Sequence, residues 1–440
     1  MSVTVIARDQ HNVSRKLMSP NALKVISRLN NSGFEAYLVG GGVRDILLGG
    51  EPKDFDIATD AHPEQVHELF RNSRLIGRRF KLVHILFGRE VIEVATFRGA
   101  APVADGKSHK QSDQGMLLRD NVYGSMEDDA LRRDFTANAL YYSSKDFAVY
   151  DYVGAMADIK SKTLRLIGDP ETRYREDPVR MLRAIRFATK LDMEISKETE
   201  APIRELSSLL ENIPAARMFE EFLKMFISGK AVANFLLLRD YKLFQYFFPA
   251  LEQLANQKSH QYVDDFVMLA MKNTDARINN DQRVTPAFLI AALLWYPLQI
   301  QISRLKSETQ LTPQDAFFAA LNEIMSEQQR SIAIPKRFQA VMKDIWILQE
   351  KLERRDGKRA FAAFEHQKFR AGYDFLLIRG EIEGGNVQAL ATWWTDFQNA
   401  SAETQVQMIK NAPSSKSGPR RSPRKRRKPK DKPSSMTNES

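Results

Sequence analysis

Up to about residue 168, short apolar runs bounded by Gly, Pro, Asn and Ser alternate with brief helical stretches. From 190 to 410 apolar residues recur at helical spacing, with no strand pattern of note. The pattern predicts a helix over about Asn21 to Asn30 after Ser19-Pro20, with Leu23, Ile26 and Leu29 on one face. Tyr37 to Val39 reads as a buried strand, Val43 to Leu48 as a helix, and Asp54 to Ala58 as a second strand. Pro63 to Phe70 reads as a helix and Leu75-Ile76 as a short strand. Leu82 to Phe87 and Val91 to Phe97 form a hairpin across Gly88-Arg89-Glu90. A helical pattern is expected from Glu127 through Leu140, a short strand at Leu164 to Gly168, and a strong helix from Glu176 to Phe187. The expected fold class is α+β, a small N-terminal sheet followed by an all-α remainder. Its expected parts are an N-terminal arm (1–18), a head (19–150), a helical neck (151–230), a helical body and C-terminal region (231–412) and a disordered basic tail (413–440).

Between the first two strands lies the densest chemistry. Gly40, Gly41 and Gly42 let backbone amides approach an anion, the helix they enter favours phosphate at its start, and Arg44 can reach the same anion. In a strand, residues two apart share a face, so Asp54 and Asp56 project together while Phe55 and Ile57 point inward. Paired carboxylates repel unless a cation lies between them, and an all-oxygen site suits Mg²⁺. Glycine loops and Asp-x-Asp pairs are each common alone; in this order and spacing they lay out a site that moves a nucleotide.

Other motifs are open to two readings. Glu93 breaks an apolar strand pattern (Val91, Ala95), as a third carboxylate facing the pair or as an edge residue bridged to Arg98 or a lysine. Arg132, Arg133, Asp134 and Asn138 could hold a sugar or phosphates, or form a solvated helix face. Asp177 and Arg180, one turn apart, present an acceptor beside donors. That pattern matches adenine or cytosine without separating them; an intrahelical ion pair is the plainer account. Arg180, Arg183 and Arg186 form a basic stripe. Lys368 to Phe375 mixes cations and aromatics as RNA-binding helices can, and Trp393-Trp394 could be a stacking platform; ordinary core-and-surface helices are the plainer account of both.

Composition narrows the class. The chain has no Cys, which excludes disulfides, thiolate zinc sites and a Cys nucleophile. Residues 1 to 18 lack an apolar h-region, and the longest apolar run, Pro286 to Leu298, is too short to span a bilayer. Between 413 and 432, ten Lys and Arg stand against Asp431 alone, so these twenty residues carry +9 of the net charge of +10 and make the tail suited to polyanions.

Taken together, Gly40 to Asp45 with Asp54-x-Asp56, Leu131 to Leu140, and Glu176-Asp177-x-x-Arg180-x-x-Arg183-x-x-Arg186-Phe187 resemble three motifs of the class II nucleotidyltransferases, in the family's order. That family comprises CCA-adding tRNA nucleotidyltransferases and bacterial poly(A) polymerases. Ala155 stands where the family's intermediate motif usually has a second Gly. Leu75 to Ile85 with Ile92 to Gly99, Ile213 to Arg217, Phe369 to Leu377 and the basic tail are similar to the poly(A) polymerase branch. The resemblance implies a polymerase β-like palm, with Asp54, Asp56 and Glu93 holding two Mg²⁺ ions. It implies that Gly40, Gly41 and Arg44 hold the triphosphate of ATP, and that Arg132, Arg133, Asp134 and Asn138 position the nucleotide. Asp177 and Arg180 would read adenine, with Arg183 and Arg186 supporting the pocket. The expected partners are RNA 3′ ends and RNA-decay proteins, without DNA specificity or a transmembrane segment, in the cytoplasm. A CCA-adding enzyme and a catalytically silent RNA-binding protein are the rival readings.

Overall fold

The computed structural model describes residues 2–77, 81–99, 122–255 and 261–412. Arg78, Arg79 and Phe80, part of the branch-marking stretch, lie outside the described residues, as do 100–121 and the basic tail. The chain forms two compact units, Met1–Gln339 and Ala340–Ser440. The expected limits at 150/151 and 230/231 both fall inside the first.

The first unit is built on an eight-stranded sheet. In chain order its strands are β1 (Thr4–Ile6), β2 (Ala36–Val39), β3 (Asp56–Thr59), β4 (Ser73–Ile76), β5 (Leu82–Phe87), β6 (Glu90–Thr96), β7 (Leu140–Ser143) and β8 (Val149–Asp151). The spatial order is β1-β8-β7-β2-β3-β6-β5-β4, and only the central β3–β6 pair is parallel. Thr4–Ile6, expected within a flexible arm, is the edge strand on β8.

One face of the sheet carries Leu38, Ile57, Val94 and Val83 in register and is buried under α1 (Pro20–Asn31), α2 (Gly41–Leu47) and α3 (Pro63–Leu69). Helix α1 starts where expected because the Ser19 hydroxyl accepts from the Asn21 and Ala22 amides and Pro20 needs no amide partner. Its Ala22, Val25, Ile26 and Leu29 are buried. On the other face, α4 (Met126–Leu131) packs Ala130 over Val39, Ala58 and Tyr141.

The helix expected through Leu140 stops at Leu131. Arg132 to Phe135 form a turn, Thr136–Asn138 one 3₁₀ turn, and β7 follows. Short polar side chains compete with the helix here: the Asp134 carboxylate accepts from the Phe135 amide at 2.8 Å, and the Thr136 amide donates to the Arg165 carbonyl.

The neck follows as α5 (Ala155–Lys160), α6 (Pro170–Glu176) and α7 (Val179–Leu191). Ala155 is fully buried in the first turn of α5, so that turn needs no second glycine; Gly154 before it takes the left-handed conformation. The helix expected to run from Glu176 is broken at Asp177-Pro178, since proline disfavours helical backbone in the residue before it. A two-residue parallel pair, β9 (Thr163–Leu164) with β10 (Glu194–Ile195), is the one departure from an all-helical chain after 190 among the described residues. Beyond it come α8 (Lys197–Glu200), α9 (Ile203–Leu206), α10 (Ala215–Phe226) and α11 (Ala231–Asp240), then longer helices to Ser331. The apolar run at 286–298 forms Pro286–Leu293 and the start of Trp295–Glu308, bent by 46°. No single helix among the described residues is long and apolar enough to cross a membrane.

In the second unit, Phe369, Tyr373, Leu376, Trp394 and Phe397 close a core of their own, and the Trp394 indole donates to the Leu352 carbonyl at 2.9 Å. The aromatic residues of 368–375 and Trp394 are therefore packing residues. Trp394→Ala removes a fully buried ring and one hydrogen bond; a loss of about 3–5 kcal/mol is expected in urea denaturation.

Candidate active site

Asp56 begins β3 and Asp54 lies two residues before it, outside the strand the sequence pattern assigned to both. The alternation survives: Phe55 and Ile57 are buried, Asp54 is exposed and Asp56 half-buried. The parallel register sets Asp56 directly opposite Glu93 on β6. Burial, then Glu93, push the Asp56 carboxyl up to about 6; Arg133 opposes them and Asp54 adds to the rise. Glu93 thus stands beside Asp56, and the His84 imidazole lies 3.5 Å from its carboxylate.

Among the described residues, no three Asp, Glu, His or Cys side chains are already gathered closely enough to enclose a metal ion. The donor chemistry nevertheless fits Mg²⁺. All three groups are carboxylates, and burial together with the neighbouring Glu93 raises Asp56, so that its ionised form would gain from an added cation.

Gly40 joins β2 to α2 with φ 68° and ψ −132°, a conformation that favours glycine. A Cβ there would stand 3.6 Å from an Arg133 Nη1 and 3.8 Å from an Asp56 Oδ2, so Gly40 marks the point where cation and carboxylate meet. The Arg44 guanidinium lies beside Gly41. It is buried, donates from Nε to Asp45 at 2.8 Å, and also donates to the Asn138 side-chain oxygen.

From Asn138 a chain of polar contacts runs into the neck. Its amide donates to Asp134 at 3.2 Å, and the other Asp134 oxygen accepts two bonds from Arg183 on α7. Burial alone would raise Asp134, but Arg183 holds it below the usual carboxylate range. Phe187 lies beneath the guanidinium groups of Arg44, Arg183 and Arg186, at 5.5, 5.3 and 4.5 Å from its ring centre.

A second network centres on Asp129, which the sequence reading missed. One of its oxygens accepts from Arg132 at 2.9 Å; the other accepts from Arg133 at 2.9 Å and the Tyr141 hydroxyl at 2.7 Å. Burial would raise Asp129, yet Arg133 and Arg132 bring it down to about 2. An acid three and four residues before two arginines was the available signal; Tyr141 left none. Arg173 on α6 was also missed. It donates to the carbonyls of Arg132 and Arg133 at 2.6 and 2.7 Å, fastening the turn to the neck.

The expected Asp177–Arg180 reading pair is not assembled. Asp177 accepts from Arg217 on α10 at 2.6 Å, and Arg180 donates to Glu176 at 2.9 Å. The break at Pro178 puts Asp177 in extended backbone ahead of α7, where its carboxylate also accepts from the Val179 amide at 3.3 Å. Arg186 lies 3.7 Å from Glu221, and burial lowers its pKa.

Comparison with known proteins places this geometry. Residues 36–165 match the "Poly A polymerase head domain", 192–254 the "Probable RNA and SrmB- binding site of polymerase A", and 309–429 the "Polymerase A arginine-rich C-terminus". Over 429 residues the chain is 53% identical to poly(A) polymerase I of Escherichia coli, covering 97% of this chain and 92% of that one. The chain belongs to the poly(A) polymerase family. It is 50% identical to the Haemophilus influenzae family member, covering 92% of this chain and 90% of that one. The solved CCA-adding enzyme of Bacillus stearothermophilus in complex with CTP superposes with a TM-score of 0.55 at 25% identity, over 90% of this chain and 83% of that one. Members of the family are polynucleotide adenylyltransferases, and the palm sheet with its helical remainder is their fold.

Two outcomes follow from the charges. Asp129→Asn leaves two guanidinium groups without their shared anion, and should lower kcat/KM for ATP about 100-fold and stability by about 3 kcal/mol. Tyr141→Phe removes one hydroxyl and should cost about 1 kcal/mol. Steady-state kinetics and urea denaturation check both. Asp56 titrates higher in the folded chain than its ordinary 3.8, so its ionised form opposes folding at pH above about 6, and that cost fades as pH falls toward 4. Asp56→Asn should therefore stabilise the metal-free protein by about 2–3 kcal/mol at pH 7.5 and by about 1 kcal/mol at pH 4.5, measured by denaturation in EDTA.

Proposed function

We propose that the chain adds adenylate residues to RNA 3′ ends without a template, transferring AMP from ATP and releasing pyrophosphate, with Asp54, Asp56 and Glu93 holding two Mg²⁺ ions. The observation that carries this reading is the β3–β6 register, which brings Glu93 beside Asp56 in a chain that follows poly(A) polymerase I over 97% of its length.

Each residue group has a task. Asp54, Asp56 and Glu93 concentrate negative charge at the end of β3 and its neighbour, so that cations are drawn to the reacting oxygens. Bound Mg²⁺ would supply activation of the RNA 3′-hydroxyl and neutralisation of the departing pyrophosphate. Gly40 and Gly41 leave room for phosphate oxygens against the backbone, and Arg44 lies beside Gly41 to share their charge. Arg132 and Arg133, both held by Asp129, position the nucleotide. Asp134 and Asn138 hold Arg183 and Arg44 in place. Base selection by Asp177 and Arg180, supported by Arg183 and Arg186, requires the bound adenine to draw Asp177 or Arg180 from its present partner. A cytoplasmic location belongs to the same reading, because ATP and RNA 3′ ends are found there. RNA-decay proteins are the expected partners of 192–254.

A CCA-adding activity is the second reading, favoured by the fold shared with the CTP-bound enzyme. Purified protein with Mg²⁺ and a short 3′-hydroxyl RNA, given ATP or CTP separately, decides between them. A long ATP-dependent ladder with little CTP use is the expected result. A few additions that need CTP and a tRNA-like end would establish the second reading, and RNA binding without extension a silent binder. Asp54→Ala and Asp56→Ala should each abolish extension while thermal melting stays cooperative.

A further inference from the structure

The sheet registers align one residue from each of six neighbouring strands: Tyr141, Val39, Asp56, Glu93, His84 and Arg74. Residues paired directly across strands share a face, so all six stand on the face opposite α1 and α3. Ser73 and Val83, on either side of this line, turn the other way: Ser73 bonds His67 of α3 and Val83 is buried.

The carboxylates divide the line. Toward Tyr141 lie Arg133, Asp129 and, through Asn138, Arg44, the set proposed to hold the nucleotide. Toward the other edge lie His84 and the exposed Arg74. On the same face, on opposite sides of this line, are Ile76, two residues beyond Arg74 on β4, and Val91, two residues from Glu93 on β6, 40% and 42% exposed. Attacking and leaving oxygens approach in line through a two-metal centre, so the triphosphate and the RNA reach the carboxylates from opposite sides. With the triphosphate on the Tyr141 side, the His84 side is left for RNA.

We infer that the strip on β5 and β4 seats the 3′-terminal nucleotide of the RNA, with Arg74 contacting the phosphodiester on its 5′ side. The inference rests on the polyadenylation reading. Three observations support this occupant. The strip is continuous with the carboxylates. Arg74 stands two strands from Glu93, about 10 Å at the usual spacing, which one nucleotide step and an arginine side chain span together. Its charge complements a phosphodiester, and Ile76, two residues further along β4 on the same face, offers exposed apolar surface beside it. The plainer role for Arg74 is a solvated charge that guards an edge strand.

The test is a cycle of two substitutions in the full-length protein. Wild type and Arg74→Ala are compared on two RNA primers that differ only at the 3′-terminal phosphodiester, natural in one and a neutral methylphosphonate in the other. Arg74→Ala should lower kcat/KM for the natural primer about 10-fold, lose nothing further on the methylphosphonate primer, and leave KM for ATP within about two-fold. Equal losses on both primers, no loss on either, or a shift in KM for ATP instead would each overturn the inference. A second measurement needs no turnover, and so separates this inference from the polyadenylation reading. RNA carrying a 3′-terminal 4-thiouridine should crosslink to peptides within 73–92; crosslinks confined to other segments would refute the placement.

Discussion

Like charges held side by side are the constraint around which the first unit is arranged. The parallel pairing of β3 with β6 leaves Asp56 and Glu93 no choice of neighbour, and burial prevents water from screening them fully. Such a pair is tolerable in a fold only if cations are at hand. The molecule supplies Arg133 from the turn after α4, and the proposed Mg²⁺ ions would meet the rest. Gly40 lies at the same place, where a positive φ that favours glycine turns β2 into α2 beside Arg133 and Asp56.

The arginines need the converse support. A guanidinium aimed at a ligand must be held still while that ligand is away, and buried acids do this. Asp129 holds Arg132 and Arg133, Asp134 holds Arg183, and Asp45 with Asn138 holds Arg44. Because Asp134 belongs to the head and Arg183 to the neck, and Arg173 of the neck fastens the carbonyls of residues 132 and 133, the proposed phosphate end and the proposed base end share one hydrogen-bonded frame.

Much of this was legible in the chain. Phe55 and Ile57 alternate with Asp54 and Asp56, which fixed the carboxylate face even though Asp54 precedes the strand. Glu93 stood out because an acid inside an apolar strand needs a reason, and the strand pairing supplies it. The helix expected through Leu140 failed because periodicity counts apolar positions and is blind to side chains that capture the backbone, as Asp134 does. The partner of Asp177 was beyond reach for another reason: Arg217 is forty residues away, and local spacing cannot weigh a distant competitor against Arg180. Pro178 was visible, yet its effect on the direction of Asp177 emerges only with α10 in place.

The near-balance of buried acids and arginines bears on how such a site can drift through descent. Losing Arg183 strands Asp134, and losing Asp129 strands two guanidinium groups, so either single change is penalised before any effect on chemistry is felt. Paired changes that remove a cation together with its anion escape most of that penalty. Relatives with altered pockets should therefore differ by linked exchanges, an inheritance written in couples rather than in single letters.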